Sequence, residues 1–375
     1  MPIASVVMGK LKKNRHMRKI QFILIFILIS IRILGQERLE KLDNYLTNLE
    51  KNDSFSGVVI IGQNGEKIYS KVMGFADRDN HIKLNLNSQF SLSSTSKSFT
   101  AVCIMRLVQE GRISDNEKIG KYFPELDYGD KVTIHHLLTH SSGLTDFYNV
   151  VGFSYKNVKT CLDIIPYIKN QKLVFNPGDS VFYSTSGMIL LGALIEKVSG
   201  QTYQAYVTEN ILKPLKMDNT SFVNGSEKSV SEDKKGIYTK GYAKDDKGQI
   251  VGIPYTDKEK QFIPLSAGGV WSSASDLLKF VNGINKYEIL QKEYVDLMQK
   301  KYTYTGWPNC YFGYVWVTIN SGKEEEAIGI AGNSPRHHSY IYHYKKDNKV
   351  IIIMTNYGFV DIFAVGDDIE KILYK

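Results

Sequence analysis

The sequence predicts an α/β protein of the α+β kind, with an antiparallel sheet built from both chain ends and a helical subdomain beside it. Strand-like segments lie at 55–77 and at 311–356, whereas the pattern from 90 to about 300 is mainly helical. Strands at both ends around a long helical insertion indicate one sheet covered by helices. With 375 residues, 43% of them hydrophobic, the chain is long enough to bury such a core.

Simple periodicity predicts the first elements. Helical spacing of leucines predicts a helix over 37–52, and the leucines are Leu39, Leu42, Leu46 and Leu49. An Asn-Gly pair between apolar runs is the strongest short hairpin signal, so Asn64-Gly65 predicts two strands within 55–77. The folded part therefore begins with a helix and a β-hairpin.

Two helices in the middle of the chain have recognisable ends. The apolar segment 187–200 has helical spacing, and Gly200 is suited to end it in a left-handed conformation. A second helix over 273–284 begins at Ser273 or Ser275, because either hydroxyl can accept a bond from a free backbone N–H.

The C-terminal part predicts strands and a final helix. The strands are 311–319, 326–332, 338–346 and 349–356, and the helix is 365–375. Ahead of them, the segment 225–262 is polar and rich in Lys, Asp and Gly, and we expect a surface excursion there.

Residues 1–35 have the order of a secretory signal peptide, and we expect residues 36–375 to form one domain. The basic residues of this segment are Lys10, Lys12, Lys13, Arg15, Arg18, Lys19 and Arg32. A short apolar core at 20–31 follows most of them, and Gly35 is a small residue at the cut. That core is shorter than the ~20 residues that span a bilayer, so an N-terminal membrane anchor is the alternative. The predicted location is periplasmic or extracellular.

Charge argues against a nucleic-acid partner. The formal net charge is +8, but without the seven basic residues of 1–35 the chain keeps 40 basic and 39 acidic residues. A nearly neutral domain has little attraction for a polyanion. We therefore expect a small-molecule or peptide substrate, and membrane contact only if the signal is not cleaved.

Neither cysteine nor histidine has the spacing of a disulfide framework or a metal site. The three cysteines are Cys103, Cys161 and Cys310, and Cys103 lies within an apolar helix where a core position is expected. The sequence contains no H-E-x-x-H and no cysteine pair with zinc spacing. We expect no metal and no other cofactor.

The candidate nucleophile lies in the serine-rich segment 90–98. Ser94 has a lysine three residues on, Lys97, and such a pair shares one helix face with Cβ atoms about 5–6 Å apart. A neutral lysine can take the proton that a serine must lose to become a nucleophile. The S-x-x-K pattern alone is weak, because 231–234 matches it too. Capping of the next helix is the alternative role for a serine here.

Several sequence blocks in order resemble the serine β-lactamase-related family of penicillin-binding proteins, class C β-lactamases and related esterases. The blocks are FSLSSTSKSFTAVCIMRLVQEGRISDNEKIGKYFPEL, VTIHHLLTHSSGLTDF, FNPGDSVFYSTSGMILLGALIEKVSG, SAGGVWSSASDLLKF, FGYVW and VIIIMTN. The resemblance covers roughly 37–373. It implies a β-lactamase/transpeptidase-like fold, with Ser94 as the acylated nucleophile and Lys97 as its partner.

The second family motif, Tyr-x-Asn, reads Tyr183-Ser184-Thr185. The resemblance implies that Tyr183 shuttles a proton between Ser94 and the leaving group. Thr185 offers one hydroxyl where asparagine offers one acceptor and two donors. This change puts the recognition of an amide substrate in doubt.

The third motif, Lys-Thr-Gly or His-x-Gly, reads Ile330-Ala331-Gly332 and is followed by Asn333. The resemblance implies an oxyanion hole formed by the N–H groups of Ser94 and Asn333, which needs no side chain. Gly332, Asn333 and Thr185 are thus the candidate oxyanion and substrate-binding residues. The cation that helps relatives to bind a substrate carboxylate is missing.

Four other residues near these motifs are weaker candidates for a role in binding or catalysis. Arg336, His337 or His338 could supply the missing cation, and the alternative is a solvated surface cluster. His140, in the block LLTHSSGL, is predicted to be structural because no acidic partner for a Ser-His pair is evident.

The resemblance implies an exported serine hydrolase that forms an acyl-enzyme on Ser94 with an ester or amide. An esterase, a D-alanyl carboxypeptidase acting on peptidoglycan-type peptides and a β-lactamase all fit. The alternative is a non-catalytic binder of peptides or partners in the same cleft, suggested by the two altered motifs. The intact set of Ser94, Lys97 and Tyr183 favours the enzyme.

We expect the exported protein to begin at Gln36 or within a few residues of it. Removal of a signal peptide after a small residue gives this end. Mass spectrometry of the N-terminal peptide of the exported protein measures it. A membrane-bound mature protein that retains 20–34 would support the anchor instead.

Overall fold

The computed structural model describes most of the chain after the predicted signal. The described ranges are 35–222, 236–256, 265–320 and 326–374. Residues 1–34 of the predicted signal peptide, the S-x-x-K pattern at 231–234 and the parts 225–235 and 257–262 of the predicted excursion therefore lie outside the described residues. None of the helices in these ranges combines the length and the apolar character that crossing a bilayer requires.

The elements are numbered here in chain order. The helices are α1 (35–51), α2 (Lys97–Gln109), α3 (Ile134–Leu138), α4 (Ile165–Ile168), α5 (Thr185–Ser199), α6 (Tyr203–Val207), α7 (Ala274–Asn285), α8 (Lys292–Gln299) and α9 (Ile362–Tyr374). The strands are β1 (Gly57–Gln63), β2 (Glu66–Met73), β3 (Phe75–Asp77), β4 (Ile82–Lys83), β5 (Phe90–Ser91), β6 (Thr220–Ser221), β7 (Tyr242–Lys244), β8 (Ile250–Gly252), β9 (Trp271–Ser272), β10 (Thr303–Tyr304), β11 (Cys310–Phe312), β12 (Val317–Asn320), β13 (Glu326–Asn333), β14 (His338–Tyr344) and β15 (Lys349–Thr355).

An antiparallel sheet of eight strands joins the two ends of the chain. Its order is β10-β11-β12-β13-β14-β15-β1-β2, so that the N-terminal hairpin pairs with the last strand. The turn between β1 and β2 has positive φ at Asn64 (53°) and Gly65 (84°), as a type I′ turn requires. The prediction of one sheet built from both chain ends is confirmed.

Each face of this sheet is covered by different helices. Val58 and Ile60 of β1 pack into the helical subdomain, while Val59 and Ile61 pack under α1 and α9. Alternate residues of a strand point to opposite faces, and both faces are buried here. This double burial explains why β1 is apolar at consecutive positions.

The predicted helix ends agree with the structure. The Ser273 hydroxyl accepts a hydrogen bond from Asp276 N at 3.2 Å and so caps α7, which decides between the two predicted serines. Gly200 follows α5 with a φ of 74° and ends it in the left-handed conformation.

The predicted single strand 311–319 is wrong, because the segment forms a hairpin. Strands β11 and β12 flank a turn closed by a hydrogen bond from Gly313 N to Trp316 O at 2.8 Å. Val315 in this turn has a φ of 70° and donates its N–H to Leu138 O at 2.9 Å. A bond to the helical subdomain, which the local pattern does not encode, holds this unusual conformation.

Candidate active site

Ser94 lies in a 3₁₀ turn, Ser93–Ser96, that runs directly into α2. Lys97 is the first residue of α2, and its Nζ donates to Ser94 Oγ at 3.1 Å and to Ala267 O at 2.6 Å. The lysine side chain is buried, with 3% of the residue exposed. The predicted contact between the hydroxyl and the amine is confirmed, and the Ala267 carbonyl holds the amine in place.

The start of the 3₁₀ turn leaves a backbone donor free. Its first hydrogen bond runs from Thr95 N to Leu92 O at 3.0 Å. The N–H of Ser94 precedes that bond and therefore has no partner within the turn. Ser93, with a φ of 49°, turns the chain sharply from β5 into this position.

Strand β13 approaches the turn that carries Ser94 at Gly332. A Cβ atom at this position would lie 2.0 Å from Leu92 O and 2.9 Å from Thr95 N, so no other residue fits without a backbone shift. The predicted site residue Gly332 is thus at the site, and its absent side chain is what lets the strand and the turn meet.

The register of β13 directs the Asn333 N–H away from β14. Ser334 N donates to His337 O at 3.0 Å, so this pair closes the hairpin. Bonded and non-bonded pairs alternate in an antiparallel ladder, and the next pair, Asn333 with His338, is therefore a non-bonded one. Strand β12 pairs with β13 only from Glu326 to Gly329. The Asn333 N–H consequently lies on an open strand edge.

Ser94 and Asn333 line the same cleft. Each contributes a backbone N–H that is not used by its own turn or strand pair. Two such donors can stabilise the oxyanion of a tetrahedral intermediate.

Tyr183 precedes α5 and lines the cleft with 43% of the residue exposed. The Lys97 Nζ lies 5.0 Å from the centroid of its ring. Its hydroxyl donates to no described residue, so the predicted proton path from Ser94 is not preformed within the described part of the chain. The ring is nevertheless beside the lysine.

Thr185, which was predicted to bind substrate, lies at the start of α5 and not in the lining of the cleft. Its N–H donates to Asp146 Oδ1 at 2.7 Å, at the first position of α5, and its side chain does not line the cleft. The hydroxyl of Ser184 caps the helix by accepting from Gly187 N at 3.0 Å. Asp146, which carries no motif, was not predicted and fixes the start of α5.

His140 is buried behind Tyr183, and its predicted structural role is supported. Its Nδ1 accepts a hydrogen bond from Ser184 N at 3.3 Å, and its ring packs on Tyr183 with centroids 4.5 Å apart. Burial, and secondarily the Lys97 ammonium, lowers the pKa of His140 to about 3. The neutral ring therefore positions the Tyr183 segment and carries no charge near pH 7.

The cleft has a volume of about 780 Å³ and mainly apolar walls. Its lining residues are Ser94, Tyr183, Trp307, Cys310, Phe312, Val315, Val317, Ile319, Ile330, Ala331, Asn333, Tyr342 and Phe363. No lysine, arginine or histidine is among them. The described residues also contain no group of three or more His, Cys, Asp or Glu side chains that could hold a metal.

Arg336, His337 and His338 do not replace the missing cation, and the alternative of a solvated cluster is also wrong. The Arg336 guanidinium donates to Pro254 O at 2.6 Å and is 7% exposed. His337 is buried against Thr239, and both ring nitrogens of His338 contact backbone carbonyl oxygens. All three side chains serve packing around the turn after β13.

Comparison with known proteins agrees with the fold and the order of the motifs. The family model described as Beta-lactamase matches residues 42–368. A penicillin-binding protein of Bacillus subtilis is 26% identical over 332 residues, which cover 86% of this chain and 73% of that protein. Protein flp of Staphylococcus aureus is 27% identical over 334 residues, covering 86% of this chain and 63% of that protein.

A solved structure matches the chain as well. The octameric penicillin-binding protein homologue from Pyrococcus abyssi superposes with a TM-score of 0.73 and 27% identity, covering 85% of this chain and 73% of that one. The predicted β-lactamase/transpeptidase-like fold is confirmed.

We expect acid to weaken the fold through its buried histidines. Burial lowers the pKa of both His140 and His337 to about 3. Unfolded histidine titrates near ~6.5, so protons bind the unfolded chain more tightly and the free energy of unfolding falls as the pH drops below that value. The loss is at most about 1.4 kcal/mol per pH unit for each histidine.

Denaturant unfolding at pH 7, 5.5 and 4.5 measures this dependence. The free energy of unfolding should depend less on pH in the variants His140→Gln and His337→Gln. Each variant removes one of the groups that bind a proton on unfolding. A free energy of unfolding that is constant over this range would contradict the assignment of buried neutral histidines.

Proposed function

Because the chain belongs to the β-lactamase family, we propose that it is an exported serine hydrolase that forms an acyl-enzyme on Ser94 with a neutral ester or amide. The observation that carries the proposal is the 3.1 Å hydrogen bond between the buried Lys97 Nζ and Ser94 Oγ in an open cleft. Export rests on the composition of residues 1–35.

In the proposed reaction, the amine form of Lys97 takes the proton of Ser94 as the oxygen attacks the substrate carbonyl carbon. The oxyanion accepts hydrogen bonds from the N–H groups of Ser94 and Asn333, two backbone donors of the same cleft. Tyr183, beside Lys97, passes a proton to the leaving group. Water then attacks the acyl-enzyme by the same proton route in reverse, and the acid product leaves.

The cleft favours uncharged substrates. Penicillins and D-alanyl peptides carry a carboxylate close to the scissile bond, and a binding site for it needs a cation or several donors. Ile330 stands where the family motif has its cation, and no cationic side chain of the described residues lines the cleft. A peptidoglycan-derived peptide is therefore a weaker candidate than a neutral ester.

A non-catalytic binder of peptides or partners is the second candidate. The Tyr183 hydroxyl, which forms no hydrogen bond to a described residue, favours it. The buried Lys97 argues against it, because a binding protein gains nothing from an amine held by a carbonyl against a serine hydroxyl. Covalent labelling of Ser94 separates the two.

We expect Ser94→Ala to abolish turnover of p-nitrophenyl acetate, by at least about 10³-fold in kcat, because the nucleophile is lost. The free energy of unfolding should change by less than about 1 kcal/mol, which is what loss of a helix cap typically costs. Steady-state kinetics and denaturant unfolding measure the two effects, and a fluorophosphonate probe with mass spectrometry identifies the labelled peptide.

Ser91→Ala is the matched control, since Ser91 lies in β5 outside the lining of the cleft. It should retain turnover and labelling. Turnover that survives in Ser94→Ala would remove Ser94 as the nucleophile.

We expect a neutral ester to be cleaved about ten- to a hundred-fold more efficiently than its carboxylate-bearing analogue. A missing charge-assisted hydrogen bond has this effect on kcat/KM. The variant Ile330→His with Thr185→Asn restores the family residues and should narrow the gap. Paired kcat/KM measurements on both proteins test this, and a preference of the unchanged protein for the carboxylate would refute the reading of Ile330.

A further inference from the structure

We propose that one arm of the cleft binds an apolar acyl group, so that the preferred substrates are esters of medium-chain or aromatic acids rather than acetate esters. This acyl arm is formed by Cys310, Val317, Ile319, Tyr342 and Phe363. The inference rests on the proposed function and specifies the substrate class of that same site.

The sheet register gathers four of these side chains on one face. Residues directly opposite each other in an antiparallel ladder point to the same side. Cys310 is opposite Ile319, and Val317 is opposite Gly329, which is in turn opposite Tyr342. The floor of the acyl arm is therefore a continuous part of β11, β12, β13 and β14.

Gly329 makes room for this floor. A Cβ atom there would lie 2.6 Å from Tyr342 Cγ, so the tyrosine ring lies flat across the glycine. Phe363, near the start of α9, forms the opposite wall of the arm. The one polar side-chain atom of Cys310, its Sγ, contacts Pro308 O at 3.3 Å.

Two aromatic side chains are exposed at the cleft. Trp307 is 62% exposed and Phe363 is 46% exposed, and both line the cleft. Exposed apolar surface gathered around a concave site is typical of ligand binding. A volume of about 780 Å³ is large enough for a drug-sized apolar group and far exceeds what an acetyl group fills.

The proton path assigns this arm to the acyl side of the substrate. The leaving group must lie beside the group that protonates it. Tyr183 and Lys97 both belong to the helical subdomain, whereas the acyl arm belongs to the strands and to α9. With the carbonyl carbon at Ser94, an acyl chain enters the arm past the open edge of β13, because Tyr342 belongs to the sheet face under α1 and α9 and the helical subdomain packs on the other face.

The first test compares kcat/KM for p-nitrophenyl acetate, butyrate and octanoate, all below their micelle concentrations. Burial of one methylene corresponds to about a fourfold gain. We expect octanoate to exceed acetate by at least about tenfold, since some methylene groups stay exposed. The second series keeps the acetyl group and lengthens the alcohol. Its kcat/KM should not change with the length of the alcohol. A rise in the alcohol series with none in the acyl series would overturn the assignment.

Two variants probe the arm itself. Trp307→Ala should lower the octanoate-to-acetate ratio, and Ile319→Trp, which fills the arm, should lower it further. The matched control is Tyr304→Ala, because Tyr304 is an exposed aromatic of the same hairpin, 50% exposed, that does not line the cleft. The octanoate-to-acetate ratio of this control should equal that of the unchanged protein. Equal ratios in all four proteins would refute the acyl arm.

A binding test without turnover separates this inference from the proposed hydrolysis. In Ser94→Ala the thiol of Cys310 reports on occupancy, because Cys103 and Cys161 are fully buried whereas Cys310 is 9% exposed. Burial raises the pKa of the Cys310 thiol, so alkylation by iodoacetamide is followed at about pH 9. Octanamide should slow the alkylation severalfold and acetamide should not.

The outcomes are distinct. Protection by octanamide without ester turnover or labelling of Ser94 would support the apolar arm and contradict the hydrolase. Ester turnover with equal acyl rates and no protection would overturn the arm alone.

Discussion

The contact between strand β13 and the turn that carries Ser94 is the constraint on which the rest of the site depends. Gly332 allows this contact, and Ser339 of the next strand reinforces it. The Ser339 hydroxyl bonds to Leu92 O at 3.1 Å and lies 2.9 Å from the Thr95 hydroxyl. These short polar contacts, all of them buried, fix the turn that carries Ser94 to the sheet. The two free backbone N–H groups, the open strand edge and the cleft all depend on that one junction.

The charge distribution at the site is determined by the burial of two neighbouring basic side chains. Lys97 and His140 both lie under Tyr183, and two positive charges there would repel each other at low dielectric. The lowered pKa of His140 leaves it neutral, and Ser184 N–H uses its free nitrogen lone pair. Any positive charge in this pair of bases is thereby confined to Lys97, the one next to Ser94. Among the described residues, the walls of the cleft add no further cation, which distinguishes them from walls built to hold a carboxylate.

Local features of the sequence predicted local geometry well. The spacing of Ser94 and Lys97, the Asn64-Gly65 turn and the caps of α5 and α7 each depend on residues a few positions apart. Features that depend on distant segments were beyond such reasoning. Val315 bends the chain because Leu138 accepts its N–H, and the run at 311–319 carries no local sign of it. The segment around Pro254 covers the turn at Arg336. The three polar residues 336–338, for which the sequence suggested a solvated surface, are therefore packed. The aromatic walls of the cleft come from β11, β14 and α9, which only the completed sheet brings together.

The order in which the sheet is built has a consequence for when the protein becomes competent. Ser94 and Lys97 are synthesised early, but the strand that holds their turn begins at Glu326, and its neighbour β14 follows it. Until both have paired, the turn lacks the Asn333 donor and the clamp from Ser339. A chain that is still being made therefore carries Ser94 in an unassembled turn. Assembly of the site is therefore coupled to the arrival of strands β13 and β14, the first of which begins at position 326 of the 375 residues.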